Sequence, residues 1–317
     1  MDSLLPVGSS PLAAPPERPS VRARRQDALL GALCVLGSAV AFSAKAVIAK
    51  VAYRHGADPA TVLSLRFVFA LPFFVLAAVA TSRGRAPLPR RDLGLILLLG
   101  VLGYYGASVL DFYGLLYISA GLERLILFVY PTLVVLLGAL IFGTRITRRI
   151  VLALLLTYAG VALAVKTETA GMSDDNLWLG VSLVFIGTLA YAGYLVGGGQ
   201  LIPRIGAVRF TSLALIAATL AMLVHFVLVG GSFFGHPPLI YVYGLVLALV
   251  CTVLPVFLLA EGIRRIGAAP ASIIGGVGPV STIVLAHFAL GEPVHLIQGL
   301  GTALVLIGAT VIARPQV

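Results

Sequence analysis

The feature that most constrains this chain is a succession of apolar runs, each about as long as a bilayer is thick. They fall at 28–49, 61–80, 93–117, 120–142, 148–165, 177–199, 210–230, 239–261, 267–290 and 296–313. A helix needs about 20 apolar residues to cross the hydrocarbon core. The fifth run is short, but Arg148 and Arg149 can snorkel from its end. With 60% hydrophobic residues in a chain of 317, one soluble core could not hide so much apolar surface. The runs therefore predict an all-α membrane protein of ten transmembrane helices.

The net charge of +10 does not point to nucleic acid, because the cations sit singly or in small groups between the runs, as topology signals do. With the N-terminus in the cytoplasm, the inner segments hold Arg18, Arg22, Arg24, Arg25, Arg83, Arg85, Arg90, Arg91, Arg145, Arg148, Arg149, Arg204, Arg209, Arg264, Arg265 and Arg314. The outer segments hold only Lys50, Arg54, Lys166 and Arg124. This asymmetry predicts a multi-pass protein of a bacterial inner membrane with both termini cytoplasmic. Cys34 and Cys251 lie inside apolar runs without ligand spacing, and the five histidines form no HExxH pattern. No metal site or cofactor is expected, and no ATP-binding motif is present.

Residues 1–27, rich in Pro, Ala, Ser and Arg, read as a disordered cytoplasmic tail. The competing reading is a signal peptide cleaved near AVA at 39–41, but that would remove a span the internal repeat requires. Pro131, Gly143 and Gly160 recur as Pro279, Gly291 and Gly308 at one offset, 279 − 131 = 148. Ser38, Phe42 and Lys45 recur as Gly187, Tyr191 and Tyr194 at 149, each set on one helix face. The chain thus divides into a first repeat at 28–166, a linker at 167–176 and a second repeat at 177–313. Five spans per repeat is an odd number, so the second copy is expected to cross in the opposite sense. That is the inverted-repeat architecture of alternating-access carriers.

YISAGLERLILFVYPTLVVLLGALIFGTRIT (117–147) and its partner RIGAAPASIIGGVGPVSTIVLAHFALGEPV (265–294) share one shape. Small residues lead into an apolar span with a central proline, then Gly-Glu or similar, then the last span. In this the chain resembles the drug/metabolite transporter superfamily, of the ten-helix type with two EamA domains. Arg66 in SLRFVFA fits that family's second span, whereas Gly143-Thr144 departs from its frequent Gly-Glu. The resemblance implies a secondary transporter of small organic solutes such as amino acids, other metabolites or toxic compounds, often exported. It also implies a cavity bounded by spans one, three, four, six, eight and nine.

Ionisable residues inside spans are functional candidates, because charge in lipid is costly. Here they are Lys45, Arg66, Asp111, Glu123 and Arg124. Lys45 or Arg66 could meet an anionic group of a substrate, and Asp111 or Glu123 an amine. Asp111 and Glu123 are also candidates for proton coupling, with protons as co-substrate. The competing reading is internal bracing, Arg66 or Lys45 with Asp111. Glu123 and Arg124 open their run and so also read as interfacial anchors. Tyr104, Ser108 and Asp111 share a face at i, i+4 and i+7, as do Tyr191 and Tyr194. With Tyr130 they suit stacking on an amphipathic substrate, while Tyr113 and Tyr117 fit an interfacial belt.

Pro131 and the cluster Gly275, Gly276, Gly278 and Pro279 are expected to form a hinge, since glycine and proline weaken a helix. Glu261 is expected to pair with Arg264 or Arg265 at i+3 or i+4, and Glu292 to be solvated. His225 and His287 read as relays or as simply hydrogen-bonded. Two other functional classes compete: a passive channel or lipid-handling protein, and a membrane-embedded enzyme, for which no nucleophile–base pair is found.

Overall fold

A computed structural model describes residues 21–143, 146–168 and 174–313. The expected tail as far as residue 20, Arg145, positions 169–173 of the expected linker and Arg314 lie outside the described residues. Helix α1 (Val21–Arg54) starts within the stretch read as tail, so 21–27 are helical instead. The linker expectation is trimmed too, since the flanking helices reach Glu168 and Asp174.

Helix α2 (Pro59–Ser82) starts where Asp58 accepts a hydrogen bond from the Thr61 N–H at 3.0 Å and Pro59 supplies a preset φ. The third span is α3 (Arg90–Gly100), a π-helical turn (Val101–Gly106) and α4 (Ala107–Gly114). The fourth is broken after Leu127 into α5 (Ala120–Leu127) and α6 (Tyr130–Phe142), and α7 (Arg148–Glu168) completes the half. The second half follows with α8 (Asp174–Ile205) and α9 (Ala207–Leu228). Its third span is α10 (Pro238–Ala248), a second π-helical turn (Leu249–Val253) and α11 (Leu254–Ile266). Its fourth is α12 (Ala268–Gly275) and α13 (Val277–Leu290), and α14 (Leu296–Ala313) ends it.

Among the described residues, nine helical stretches are long and apolar enough to cross a membrane, and the last apolar helix, Leu296–Val311, is shorter. Of the ten spans expected, nine are thus long enough to cross and the tenth is a shorter apolar helix. Large apolar side chains face outward, Phe288 83% and Leu296 84% exposed, as lipid allows and water does not.

The repeat extends to backbone detail. The π-helical turns begin at Val101 and Leu249, again 148 apart (249 − 101). The breaks at Phe128 and Gly276 share that offset, and Gly143 and Gly291 cap their helices in the left-handed conformation at φ 68° and 70°. The packing is reciprocal: α1 lies along α11 and α13, while α8 lies along α4 and α6. A Cβ on Gly262 would sit 3.0 Å from the Gly31 carbonyl oxygen, and one on Gly180 3.2 Å from that of Gly114. Each repeat's first span therefore packs backbone-close on the other's third, leaving a cleft between the halves.

Candidate functional site

The cleft holds a cavity of about 400 Å³, bounded by α1, α2, α4, α5, α6, α8, α11 and α12 and by the first π-helical turn. One end is charged and closed; the other is apolar, and there Leu259 and Ile263 on α11 are 40% and 39% exposed.

At the closed end Lys45 Nζ donates to Asp111 Oδ2 and, at 2.9 Å, to Glu123 Oε1. Phe42 and Phe112 each place a ring 5.8 Å from the ammonium. Burying a charge costs several kcal/mol, which only close pairing offsets. Here one ammonium serves two carboxylates, so Asp111 Oδ1 and Glu123 Oε2 have no partner among the described residues. Asp111 borders the cavity, whereas Glu123 is fully buried behind it. Lys45 is thus tied internally, in agreement with the bracing expectation for Lys45 and Asp111.

Arg66, 4% exposed, donates from Nε to Thr252 Oγ1 at 2.8 Å and lies 5.5 Å from the Phe112 ring. Thr252 belongs to the second π-helical turn and itself donates to Leu247 O, an i−5 partner, at 2.8 Å. The extra residue of a π turn re-aims side chains, which is why such turns gather at functional sites. No carboxylate pairs with Arg66 among the described residues, so its expected pairing with Asp111 is not formed.

Glu123 and Arg124 are buried between helices. The α5 helix starts at a Ser119 cap, whose Oγ accepts from the Leu122 N–H at 3.0 Å, and runs straight into the bundle, burying both. Their burial comes from the packing of α5 on α8 and α13. Arg124 crosses toward α1 and stacks its guanidinium 4.9 Å from the Phe42 ring.

Tyrosines form one wall. Tyr191 meets Tyr104 edge-on at 6.2 Å and Tyr130 at 5.8 Å, and all three border the cavity together with Ser108. Tyr194 does not border it. That ring stacks on Tyr191 at 5.9 Å and on Phe210 at 5.1 Å, supporting the wall from behind. Of the expected hinge, Gly276 forms the break, Gly275 borders the cavity, and Gly278 and Pro279 are buried in the first turn of α13. Pro131 lies in the first turn of α6, after the break rather than inside a continuous helix.

Glu292 is not solvated as expected. It reaches back to the first repeat, where Oε1 accepts from the Ala120 N–H at 3.1 Å and pairs with Lys50 Nζ at 3.2 Å. Lys50 also donates to Ile118 O at 2.8 Å, and Arg54 donates to Leu290 O at 2.7 Å. A carboxylate at a helix N-terminus meets unsatisfied N–H groups and the positive end of the dipole. This clasp links the halves on the side of Lys45 away from the apolar mouth. Sequence reading missed it because the partners lie 172 residues apart. The smaller expectations fared better: Glu261 binds Arg264 and Arg265 at 2.7 and 2.6 Å, and His225 bonds the Tyr105 hydroxyl at 2.8 Å. Among the described residues no group of His, Cys, Asp and Glu could hold a metal ion.

Many apolar helices, an internal repeat and a solute-sized cavity with a charged end define a multi-pass membrane protein of the transporter class. The chain belongs to the EamA-like transporter family, whose model matches 29–166 and 178–314, and so to the drug/metabolite transporter superfamily. It is 33% identical over 293 residues to the uncharacterized transporter YcbK of Bacillus subtilis (strain 168), covering 90% of this chain and 93% of that one. It is 26% identical over 263 residues to the uncharacterized transporter YyaM of the same organism, covering 79% and 83%. One solved crystal structure shares the fold at 18% identity with a TM-score of 0.57, covering 92% of this chain and 96% of that one.

Proposed function

We propose that the protein is a secondary carrier that exports small amphipathic organic solutes from a bacterial cytoplasm by alternating access. The observation that carries this reading is the cavity's shape, about 400 Å³ with an apolar open mouth and a charged closed end. Arginine placement supports a mouth on the cytoplasmic side and both termini inside, and the repeat supports ten helices as two inverted five-helix halves. The domains are then 28–166 and 177–313. The Glu292 clasp closes the outer face in the conformation described, so export requires it to open while the mouth shuts. The breaks at Phe128 and Gly276, beside Pro131, Gly278 and Pro279, supply backbone that can absorb that change.

In this reading Tyr104, Tyr130 and Tyr191 receive the solute's apolar body, backed by Tyr194, while Ser108 and the cations Arg66 and Lys45 meet its polar groups. Asp111 faces the cavity and shares Lys45 with Glu123, so a proton arriving at Asp111 loosens the ion pair and couples proton movement to the closed end. The test is counterflow in proteoliposomes against labelled amino acids and other metabolites, with and without a pH gradient. Saturable counterflow of a water-soluble solute supports the reading. Strictly passive, non-saturating flux favours a channel and sinks it.

A further inference from the structure

The proton-coupling and bracing roles use Lys45, Asp111 and Glu123. Among the described residues neither Arg66 nor Arg124 pairs with a carboxylate, and Thr252 takes the Arg66 Nε. Arg124 borders the cavity at 8% exposure, and its Nε has no hydrogen-bond partner. Both nearby carboxylates are held on Lys45. Arg124 lies over the Phe42 ring at 4.9 Å and beside Gly278, with Glu123 and Asp111 near enough to act on it electrostatically though neither pairs with it. A guanidinium keeps its proton and presents five donors in a planar fork, so it cannot relieve burial by neutralising itself. With the ring over its face and Nε free of any hydrogen bond, the guanidinium keeps a donor edge available to a carboxylate.

The surroundings sort the possible cargo. With two carboxylates on one ammonium, Lys45, Asp111 and Glu123 together carry one negative charge, and Arg66 and Arg124 add two positive ones. The ionised site therefore carries one positive charge in excess, which a monoanion neutralises. Arg124 lines the same cavity as Tyr104, Tyr130 and Tyr191, so an anionic head at Arg124 places the attached body toward the tyrosine wall.

We propose that Arg124 binds the carboxylate of the transported solute, which makes the cargo an amphipathic organic monoanion with its apolar body against Tyr104, Tyr130 and Tyr191. This rests on the carrier reading above. It assigns the specificity-determining contact to Arg124 rather than to Lys45 or Arg66.

The test uses three probes with one body and three charges: 1-naphthylacetate, 1-naphthylacetamide and 1-naphthylmethylamine. Saturable binding to the purified full-length protein in nanodiscs is measured first, then counterflow in proteoliposomes. The wild type is expected to bind the carboxylate at least tenfold more tightly than the amide, and the amine least. Arg124→Gln is expected to remove the carboxylate-to-amide preference, and Arg124→Lys to restore part of it. A merely structural Arg124 would weaken all three probes alike and leave the ratio unchanged, which overturns the proposal. Preference for the amine, or no saturable binding of the carboxylate, overturns it as well. Counterflow of the amine or amide without the carboxylate sinks this proposal but keeps the carrier reading. Non-saturating flux of all three sinks the carrier reading itself.

Discussion

Arg124 of the first repeat lies against Gly278 of the second, so close that a Cβ at residue 278 would stand 2.7 Å from the guanidinium Nη2. The same Cβ would stand 3.4 Å from Ser43 Oγ, which donates to the Gly278 carbonyl at 2.9 Å. Three helices, α1, α5 and α13, thus meet at a point where a larger residue must displace the Arg124 guanidinium, two residues beyond the break in the ninth span.

Gly278→Ala is expected to push Arg124 or α13 aside, costing about 1–3 kcal/mol as overpacking does. Thermal unfolding in detergent should fall accordingly and transport should fall at least tenfold. Gly275→Ala, where an added Cβ meets nothing within 4 Å, should retain stability. Equal losses in the two variants would show that the close approach at residue 278 is unimportant.

Lys45→Ala would strand two carboxylates in the closed end, a loss of about 3–5 kcal/mol for breaking a buried pair. Lys45→Met combined with Asp111→Asn and Glu123→Gln removes the charges together and should recover most of that stability while abolishing proton-driven transport. Thermal midpoints of the single and triple variants check the first point. Intact uptake under a pH gradient in both Asp111→Asn and Glu123→Gln would refute the coupling role.

Thr252→Val deletes the acceptor that orients Arg66 and leaves a buried donor unsatisfied, at a cost of about 1–3 kcal/mol. Thr252→Ser keeps the hydroxyl and should stay close to wild type. Indistinguishable thermal midpoints for the two variants would detach Arg66 from the second π-helical turn.

Glu292→Ala removes a helix cap and an ion pair that join the repeats, so a destabilisation of about 1–2 kcal/mol is expected. Glu292→Gln, which still offers an acceptor oxygen to the Ala120 N–H, should fall between. An unchanged midpoint in Glu292→Ala would mean that the clasp contributes nothing to closure.

The coarse design was legible because it is written in periodicity. Apolar length marks each span, and Pro131, Gly143 and Gly160 recur where backbone geometry leaves no choice of residue. The π-helical turns at 101–106 and 249–253 recur just as faithfully, yet a single extra residue in a helix leaves no pattern in the apolar faces. They nonetheless place Tyr104 on the cavity and Thr252 on Arg66. Residue types marked Lys45, Arg66, Asp111 and Glu123, but partners at separations of 66 to 186 residues are set by the fold. Glu292 was misread for the same reason: a Gly-Glu-Pro turn looks wet until the opposite repeat packs against it.

The central claim is that one cavity opens alternately to the two sides of the membrane, and cysteine accessibility tests it without knowledge of the cargo. Cys34 and Cys251 are replaced, and Ser108→Cys places a single thiol on the cavity wall. A membrane-impermeant maleimide is then applied to inside-out and right-side-out vesicles. The expected result is labelling from the cytoplasmic face in the wild-type background and increased labelling from the outer face when Glu292→Ala releases the clasp. Labelling from one face only, unchanged by the state of the clasp, would contradict alternating access.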